Sequence, residues 1–402
     1  MKILVLNSGS SSQKSALFEL GTESSPDPTP PLWEGKLEWD GDHEQLHIRN
    51  RSGQEFRQEG KAGVHRASVG AMLDSLWTGP TAVLKSRSEI EVVGHRIVHG
   101  GPKLTEPVRI TPEVKRAIEN LRAIAPLHND AGLQGIELIE NLLPEVPQIA
   151  VFDTGFHRTL PARAFVYPGP YTWYEPDGIR RFGFHGINHE YCGRRAARML
   201  NRDISSLKII ICHLGNGCSL CAIDGGKSVD TTMGFTPLEG LMMGTRSGSI
   251  DPAILIHLMR TESTTPDELD RMLNHESGLL GISAVSSDVR DILAATRDGN
   301  KRAQLAFEIF IHRLQKEIGA MAASLGGIDV LVFTAGIGEN SPEVRAAACG
   351  KFEFIGSHMD DALNSSIKPD GEISSPASRV KVLVIRAQED WAIALKCARL
   401  GQ

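Results

Sequence analysis

The chain has 402 residues, 41% hydrophobic and 23% charged, with a formal net charge of −6. That length favours two domains, and the balance suits a fully folded, water-soluble protein. The acidic charge argues against a general nucleic-acid binder, no apolar run approaches the roughly 18 residues of a membrane span, and the short apolar run after Lys2 is too little for a signal peptide, so a cytoplasmic location is expected.

In chain order, Lys2-Ile-Leu-Val-Leu-Asn7 is an apolar run that breaks into Ser-Gly-Ser-Ser-Ser12 and returns as Ala16-Leu17-Phe18. This predicts a strand, a tight glycine turn and a returning strand. Residues 22–31 read as a proline-rich surface loop, and residues 32–60 as edge hairpins around Asp40-Gly41 and Ser52-Gly53. From about residue 90 the pattern becomes α/β. Residues 91–98 form a strand. Thr111-Pro112-Glu113 then opens a helix with an N-cap, a first-turn proline and an acid at the positive dipole end, followed by Val114, Ile118 and Leu121 at helical spacing. A strand at 149–152 ends at Asp153. Lys208-Ile-Ile-Ile-Cys-His213-Leu-Gly-Asn-Gly217 repeats the outline of residues 2–14 and returns through Leu220-Cys221-Ala222-Ile223. The helix-opening device recurs at Asp251-Pro252, Thr265-Pro266-Asp267 and Ser341-Pro342-Glu343, and further strands lie at 330–333 and 382–385. Short apolar runs between helices predict sheets covered on both faces. Ligands of such sheets sit beyond the carboxyl ends of the strands, which makes Asn7, Asp153, Gly215, Gly336 and Glu389 candidates for one cleft.

The two glycine turns direct backbone N–H groups into a concavity that suits an anion. Gly336-Ile-Gly338-Glu-Asn340-Ser-Pro342 follows a strand and opens a capped helix, a second setting that favours negative charge. Gly225-Gly-Lys-Ser228 looks like the end of a P-loop, but Cys221 stands where its first glycine belongs, so a hairpin turn is expected. Arg96, on a strand beside glycines, and Arg246, between Gly244 and Gly248, can each present a bidentate fork to carboxylate or phosphate, or form an ordinary salt bridge. His128 and His185 are hemmed by small or apolar residues, where a satisfied core histidine is the commoner outcome. Cys218 and Cys221 form a CxxC inside a hairpin, which predicts packed thiols rather than zinc. HExxH, paired-histidine helix spacing and GxSxG were not found.

The motifs Asn7-Ser-Gly-Ser-Ser-Ser12, Gly94-His-Arg-Ile-Val-His-Gly-Gly101, Ala125-Pro-Leu-His-Asn129, Phe152-Asp153-Thr, Gly183-Phe-His185-Gly and His213-Leu-Gly-Asn-Gly217 resemble the acetate and propionate kinase family. So do residues 232–248 around Arg246, Glu276-Ser-Gly-Leu-Leu-Gly281, Ser286-Ser-Asp288-Val-Arg290 and Phe333-Thr-Ala-Gly-Ile-Gly-Glu-Asn340. The resemblance runs from residue 1 to about 392 and is weak across roughly 21–90.

It implies a duplicated α/β, ribonuclease H-like fold of the actin, Hsp70 and sugar kinase type, with an interdomain cleft. Residues 1–154 would form an N-terminal domain joined by a helix at 390–402, and residues 155–389 a nucleotide-binding and dimerisation domain. The implied reaction is reversible transfer of the ATP γ-phosphoryl group to acetate, giving acetyl phosphate and ADP, with Mg²⁺ or Mn²⁺, in a homodimer with neither nucleic-acid nor membrane partners. Asp153, Arg96, His185 and Arg246 resemble the catalytic residues. Arg96, Val98, Leu127, His128, Phe184 and Pro237 match the acyl site. Ser10, Ser12, Lys14, His213, Leu214, Gly215, Asn216, Gly217, Asp288, Val289, Arg290, Gly336, Ile337, Gly338, Glu339 and Asn340 match the nucleotide site, and Asn7 and Glu389 the metal ligands. Three features depart from the family pattern: Arg386-Ala-Gln-Glu389-Asp390 makes Asp390 a rival to Glu389, Ser249 replaces a usual aspartate, and Cys218 and Cys221 replace small residues. Alternatives are a propionate or broader short-chain acyl kinase, an Hsp70- or actin-like nucleotide switch without a small-molecule acceptor, and a hydrolase in which water replaces the carboxylate.

Overall fold

Apolar runs punctuated by glycine and polar turns build two sheets in the computed structural model, which describes residues 1–9, 12–21, 27–40, 43–61, 65–123 and 126–401. The chain divides into two units, Met1–Gly155 with Gln388–Gln402, and Phe156–Ala387.

In the first unit the strands are β1 (Lys2–Ser8), β2 (Ser12–Glu19), β3 (Trp33–Asp40), β4 (His43–Asn50), β5 (Glu55–Lys61), β6 (Val92–Ile97), β7 (Val108–Arg109) and β8 (Gln148–Phe152), in the order β5-β4-β3-β2-β1-β6-β8-β7. The β1–β2 hairpin sets Asn7 opposite Lys14, while β6 runs parallel to both β1 and β8. In the second unit β9 (Lys208–Leu214), β10 (Cys218–Asp224), β11 (Lys227–Thr231), β12 (Val330–Thr334), β13 (Gly371–Glu372) and β14 (Lys381–Val384) follow the order β11-β10-β9-β12-β14-β13. Here β9 and β10 form the hairpin and β12 is parallel to β9 and β14. The repeat legible in the sequence therefore covers six strands. Each sheet ends in a two-residue antiparallel edge strand, β7 on β8 and β13 on β14. This is the duplicated ribonuclease H-like architecture of the actin and sugar kinase type.

The first unit also takes a helix from the stretch of chain that follows the second. After β8 the chain enters the second unit, where helix Gly186–Met199 packs on β9 and β12. After β14 it returns to the first, where helix Glu389–Leu400 packs on β1 and β6. Gly94 in β6 permits that return, since a Cβ there would lie 2.6 Å from Cys397 Sγ and 2.8 Å from Ile393. Trp391, on the same helix, is buried edge-on against Phe18 of β2, with ring centroids 5.5 Å apart. Leu4, Leu17, Trp33 and Leu37 are fully buried against Met72 and Leu73 of helix His65–Asp74. Each such side chain contributes about 1.5–3 kcal/mol of transfer free energy.

Two local expectations need adjustment. The glycine-rich segment after β12, expected only to lead into the helix capped at Ser341, is itself a short helix, Ala335–Asn340. Arg345, only 1% exposed, donates from Nη1 to the carbonyls of Gly338 (2.9 Å) and Glu339 (2.8 Å), satisfying the end of that helix. Ser341 then accepts from Val344 N–H and caps the next helix, Pro342–Cys349. At 251–252 the helix begins at Ala253, so Pro252 precedes it and Asp251 Oδ1 accepts from Ala253 N–H at 2.9 Å. Thr265 does form the expected cap, completed by Glu268 as a capping box. Gly225 and Gly226 have φ of +54° and +80° in the β10–β11 hairpin turn, which suits two adjacent residues in the left-handed region. All six cysteines are buried free thiols, and among the described residues no helix is long and apolar enough to cross a membrane.

Candidate active site

In the first unit, β1, β6, β8 and the returning helix bring Asn7, Arg96, Asp153 and Glu389 together with Asp390. Asp153 is 1% exposed just past β8. Arg96 closes on it from β6: Nε lies 3.1 Å from both carboxylate oxygens and Nη2 2.5 Å from Oδ2. Arg96 Nη1 donates to Asn7 Oδ1 at 3.0 Å and stands 3.9 Å from Glu389. Burial opposes the Arg96 charge, but the carboxylates of Asp153 and Glu389 outweigh it and raise its pKa above the usual value. Asn7 Nδ2 donates to Glu389 Oε2 (3.1 Å) and Asp390 Oδ1 (2.8 Å), gathering two carboxylates around one amide. Burial raises the Asp390 pKa, against the hydrogen bond from Asn7.

This oxygen-only set fits a hard divalent cation, whose charge would offset the desolvated Asp390 carboxylate. Among the described residues no group of three or more His, Cys, Asp or Glu is placed to hold a metal. A cation held here by Glu389, Asp390 and Asn7 would retain much of its water, as Mg²⁺ does.

In the second unit His185, His213, Gly217 and Arg246 converge. His185 and His213 stack with centroids 3.9 Å apart and planes 11° from parallel. A Cβ on Gly217 would lie 3.5 Å from Arg246 Nη1 and 3.7 Å from His185 Nε2, so the bare glycine lies against both groups. Arg246 is partly buried and, unlike Arg96, has no carboxylate partner among the described residues. Its Nη1 reaches only Pro237 O at 3.4 Å and Met243 Sδ at 3.9 Å. Burial lowers its pKa from the usual value, yet the group stays cationic at neutral pH. A buried guanidinium lacking a carboxylate is suited to an external anion. The loop carrying it is braced from below: Arg181 Nη1 caps the carbonyls of Thr231, Thr232 and Met233, and its Nη2 pairs with Glu239 at 2.6 Å.

A cavity of about 510 Å³ in the same unit is lined by Gly215, Asn216, Asp288, Val289 and Arg290, together with Gly336, Ile337 and Asn340. It also takes in Ser287 and Ser341, which lie within the quoted motifs but were not among the nucleotide-site candidates. Asp288 caps helix Val289–Arg297, and the Arg290 fork folds back on it at 3.0 and 3.1 Å. Gly338 is buried behind this cavity. Glu339 is turned to the chain leaving the unit, accepting from Ala387 N–H at 2.8 Å.

The remaining candidates are dispersed. Lys14 is exposed and lines, with Asp390, Lys36 and Arg49, a recess of about 200 Å³ in the first unit. Ser12 begins β2 and is half-buried. Val98, Leu214 and Phe184 are buried, and Pro237 is half-buried. Ser10 and the side chains of Leu127 and His128 lie outside the described residues. Ser249, at the departure from the family pattern, accepts from Gly240 N–H through Oγ at 3.0 Å, so it still ties the Arg246 loop.

One reading of the histidines is corrected. His185 and His189 do stand four apart at the start of helix Gly186–Met199, a spacing visible in residues 185–189. They are not a metal pair, because Ser219 Oγ sits between them, 2.9 Å from His185 Nδ1 and 2.8 Å from His189 Nε2. Other buried histidines have a thermodynamic consequence. Burial pushes His95 and His157 down to about 4 from the usual 6.5. Between those values the unfolded chain binds protons that the folded chain refuses. Their contribution is present above pH 6.5 and is lost as pH falls toward 4. Tm should therefore drop on acidification through that window, and His95→Gln or His157→Gln should flatten the drop. An unchanged pH slope in both variants would remove these groups from the acid response.

Comparison with known proteins agrees along the whole chain. The acetokinase family pattern matches residues 2–395. An acetate kinase from Cyanothece sp. (strain PCC 7425) is 54% identical over 406 residues, covering 100% of this chain and 99% of that protein. One from Gloeobacter violaceus is 55% identical over 400 residues, covering 99% and 98%. Among solved structures, Porphyromonas gingivalis acetate kinase superposes with a TM-score of 0.90 at 41% identity, covering 100% of both chains. A propionate kinase from Francisella tularensis gives 0.89 at 36%, covering 99% of both.

Proposed function

The chain belongs to the acetokinase family, and on that premise we propose that it catalyses the reversible transfer of the ATP γ-phosphoryl group to acetate, giving acetyl phosphate and ADP. The observation that carries this reading is Arg246, a partly buried guanidinium without a carboxylate, converging with His185 on Gly217. A nucleotide switch needs a phosphate cradle but no cation reserved for a second, transferring anion.

Acetate is ionised near pH 7 and is its own nucleophile, so no base has to remove a proton. Catalysis is positioning and charge stabilisation. The glycine segments at 215–217 and 336–340 and the capped helix at 288–290 bind the nucleotide. Arg246 and His185 donate to the phosphoryl oxygens as negative charge spreads over them. Asn7, Glu389 and Asp390 would hold Mg²⁺, which would supply charge neutralisation for the phosphates. Asp153 fixes the Arg96 fork, whose remaining N–H groups orient the acetate. The family resemblance gives Val98, Leu127, Phe184 and Pro237 as the residues that select a small acyl group. The enzyme acts in the cytoplasm as a homodimer, and the exposed apolar Ile254, Ile256 and Met259 on helix Ala253–Thr261 support the second copy.

The test is a hydroxylamine trap for acyl phosphate with ATP and Mg²⁺. Acetate should give the highest turnover, propionate less and butyrate less still, since one methylene shifts discrimination by about 10- to 200-fold in a tight pocket. ATP turnover indifferent to every short carboxylate would defeat the assignment.

A further inference from the structure

Behind His185 lies a hydrogen-bonded chain that the reaction as described does not use. Ser219, on β10, pairs directly with His213 across the β9–β10 ladder. Its hydroxyl is fully buried and bridges His185 Nδ1 and His189 Nε2. His185 is the residue before helix Gly186–Met199 and has φ +56°, a left-handed conformation that a side chain adopts only where its surroundings hold it.

We propose that His189 and Ser219 form a one-way relay that keeps His185 neutral with its proton on Nε2, and that Ser219 is a positioning residue for phosphoryl transfer. The direction follows from the far end of the chain. His189 is fully buried, edge-on to His157 at 5.7 Å and tilted to His213 at 6.1 Å. Burial, with these neighbouring rings, holds its pKa well below the usual value, so the ring is neutral. Among the described residues its Nδ1 has no hydrogen-bond partner. A buried N–H without an acceptor is rarer than an under-used acceptor, so the single proton belongs on Nε2, where it donates to Ser219 Oγ. The serine hydroxyl then donates to His185 Nδ1. That leaves His185 Nε2 carrying its proton, at the edge that lies with Arg246 Nη1 beside Gly217. The reverse direction would put the His189 proton on the unpartnered Nδ1. An Nε2–H fixed before the substrate arrives is a preorganised donor to a phosphoryl oxygen.

This inference rests on the acetate kinase reading for its kinetic consequence but not for its structural one. Full-length protein labelled with ¹⁵N at the imidazoles, with His185 assigned through loss of its signals in His185→Gln, should show the neutral Nε2–H tautomer. Ser219→Ala should blur that tautomer and lower kcat on the order of tenfold, about the rate equivalent of one hydrogen bond. KM for ATP should change little. Ser219→Thr, which keeps the hydroxyl, should recover both signals and rate. A protonated Nδ1 on His185 in the unsubstituted protein would overturn the relay, as would Ser219→Ala with undiminished kcat. If no acyl phosphate forms with any carboxylate, the spectra alone decide, and only the reading of the reaction fails. If Ser219→Ala does not fold, the unsubstituted protein and Ser219→Thr still report the tautomer.

Discussion

Arg246→Ala is expected to lower kcat by about 10²–10³-fold while leaving Tm nearly unchanged. Loss of one preorganised donor to developing charge typically costs ~2.7–4 kcal/mol of transition-state stabilisation. The stability half of the expectation comes from what Arg246 lacks. Among the described residues its side chain makes one long contact to Pro237 O and one to the Met243 sulfur, and no ion pair. Removing it strands no buried carboxylate and relieves the desolvation of an uncompensated cation. Circular dichroism melting and the hydroxylamine assay on the same preparation separate the two effects. A near-normal kcat would return Arg246 to a purely structural role; a large loss of Tm would show that it supports the loop.

The opposite pattern is expected for Asp153→Asn, in which stability and activity fall together. Asp153 accepts from Arg96 through both oxygens in a site only 1% exposed. Breaking a buried pair from one side typically costs ~3–5 kcal/mol, because the other charge remains. The damage should spread to the cation. Arg96 also donates to Asn7 Oδ1, and Asn7 holds both Glu389 and Asp390. Freed from Asp153, the guanidinium is left with Glu389 as its nearby counter-ion and competes with the metal for that carboxylate. Apparent Mg²⁺ affinity, read from the rise of Tm with added Mg²⁺, should therefore fall along with kcat. Unchanged Tm and Mg²⁺ response, with activity restored by an added small-molecule base, would instead make Asp153 a general base.

The contrast between the two arginines was not legible in the sequence. Both stand among glycines, and the sequence left an anion fork and a salt bridge open for each. The partner of Arg96 lies 57 positions away and is found only when β6 and β8 align. The hairpin repeat was legible because an apolar run, a glycine turn and a returning strand are local signals. The edge strands β7 and β13, two residues each, carry no periodicity. The helix at Ala335–Asn340 was not legible because glycine disfavours helix, and the compensating group, Arg345, is itself visible only once the helices pack. Ser219 gave no local sign, since its histidine partners lie 30 and 34 positions away.

The late return of the chain to the first unit has a consequence for the ribosome. The second unit is one uninterrupted stretch, so all of it has been synthesised before the first unit receives its last helix. Until residues 389–400 emerge, the apolar face of β1 and β6 lacks the cover that Trp391, Ile393 and Cys397 provide. The nascent first unit must wait with that surface open to chaperones or to wrong partners. The same late helix brings Glu389 and Asp390, so the carboxylates at its start arrive only with the segment that closes the fold.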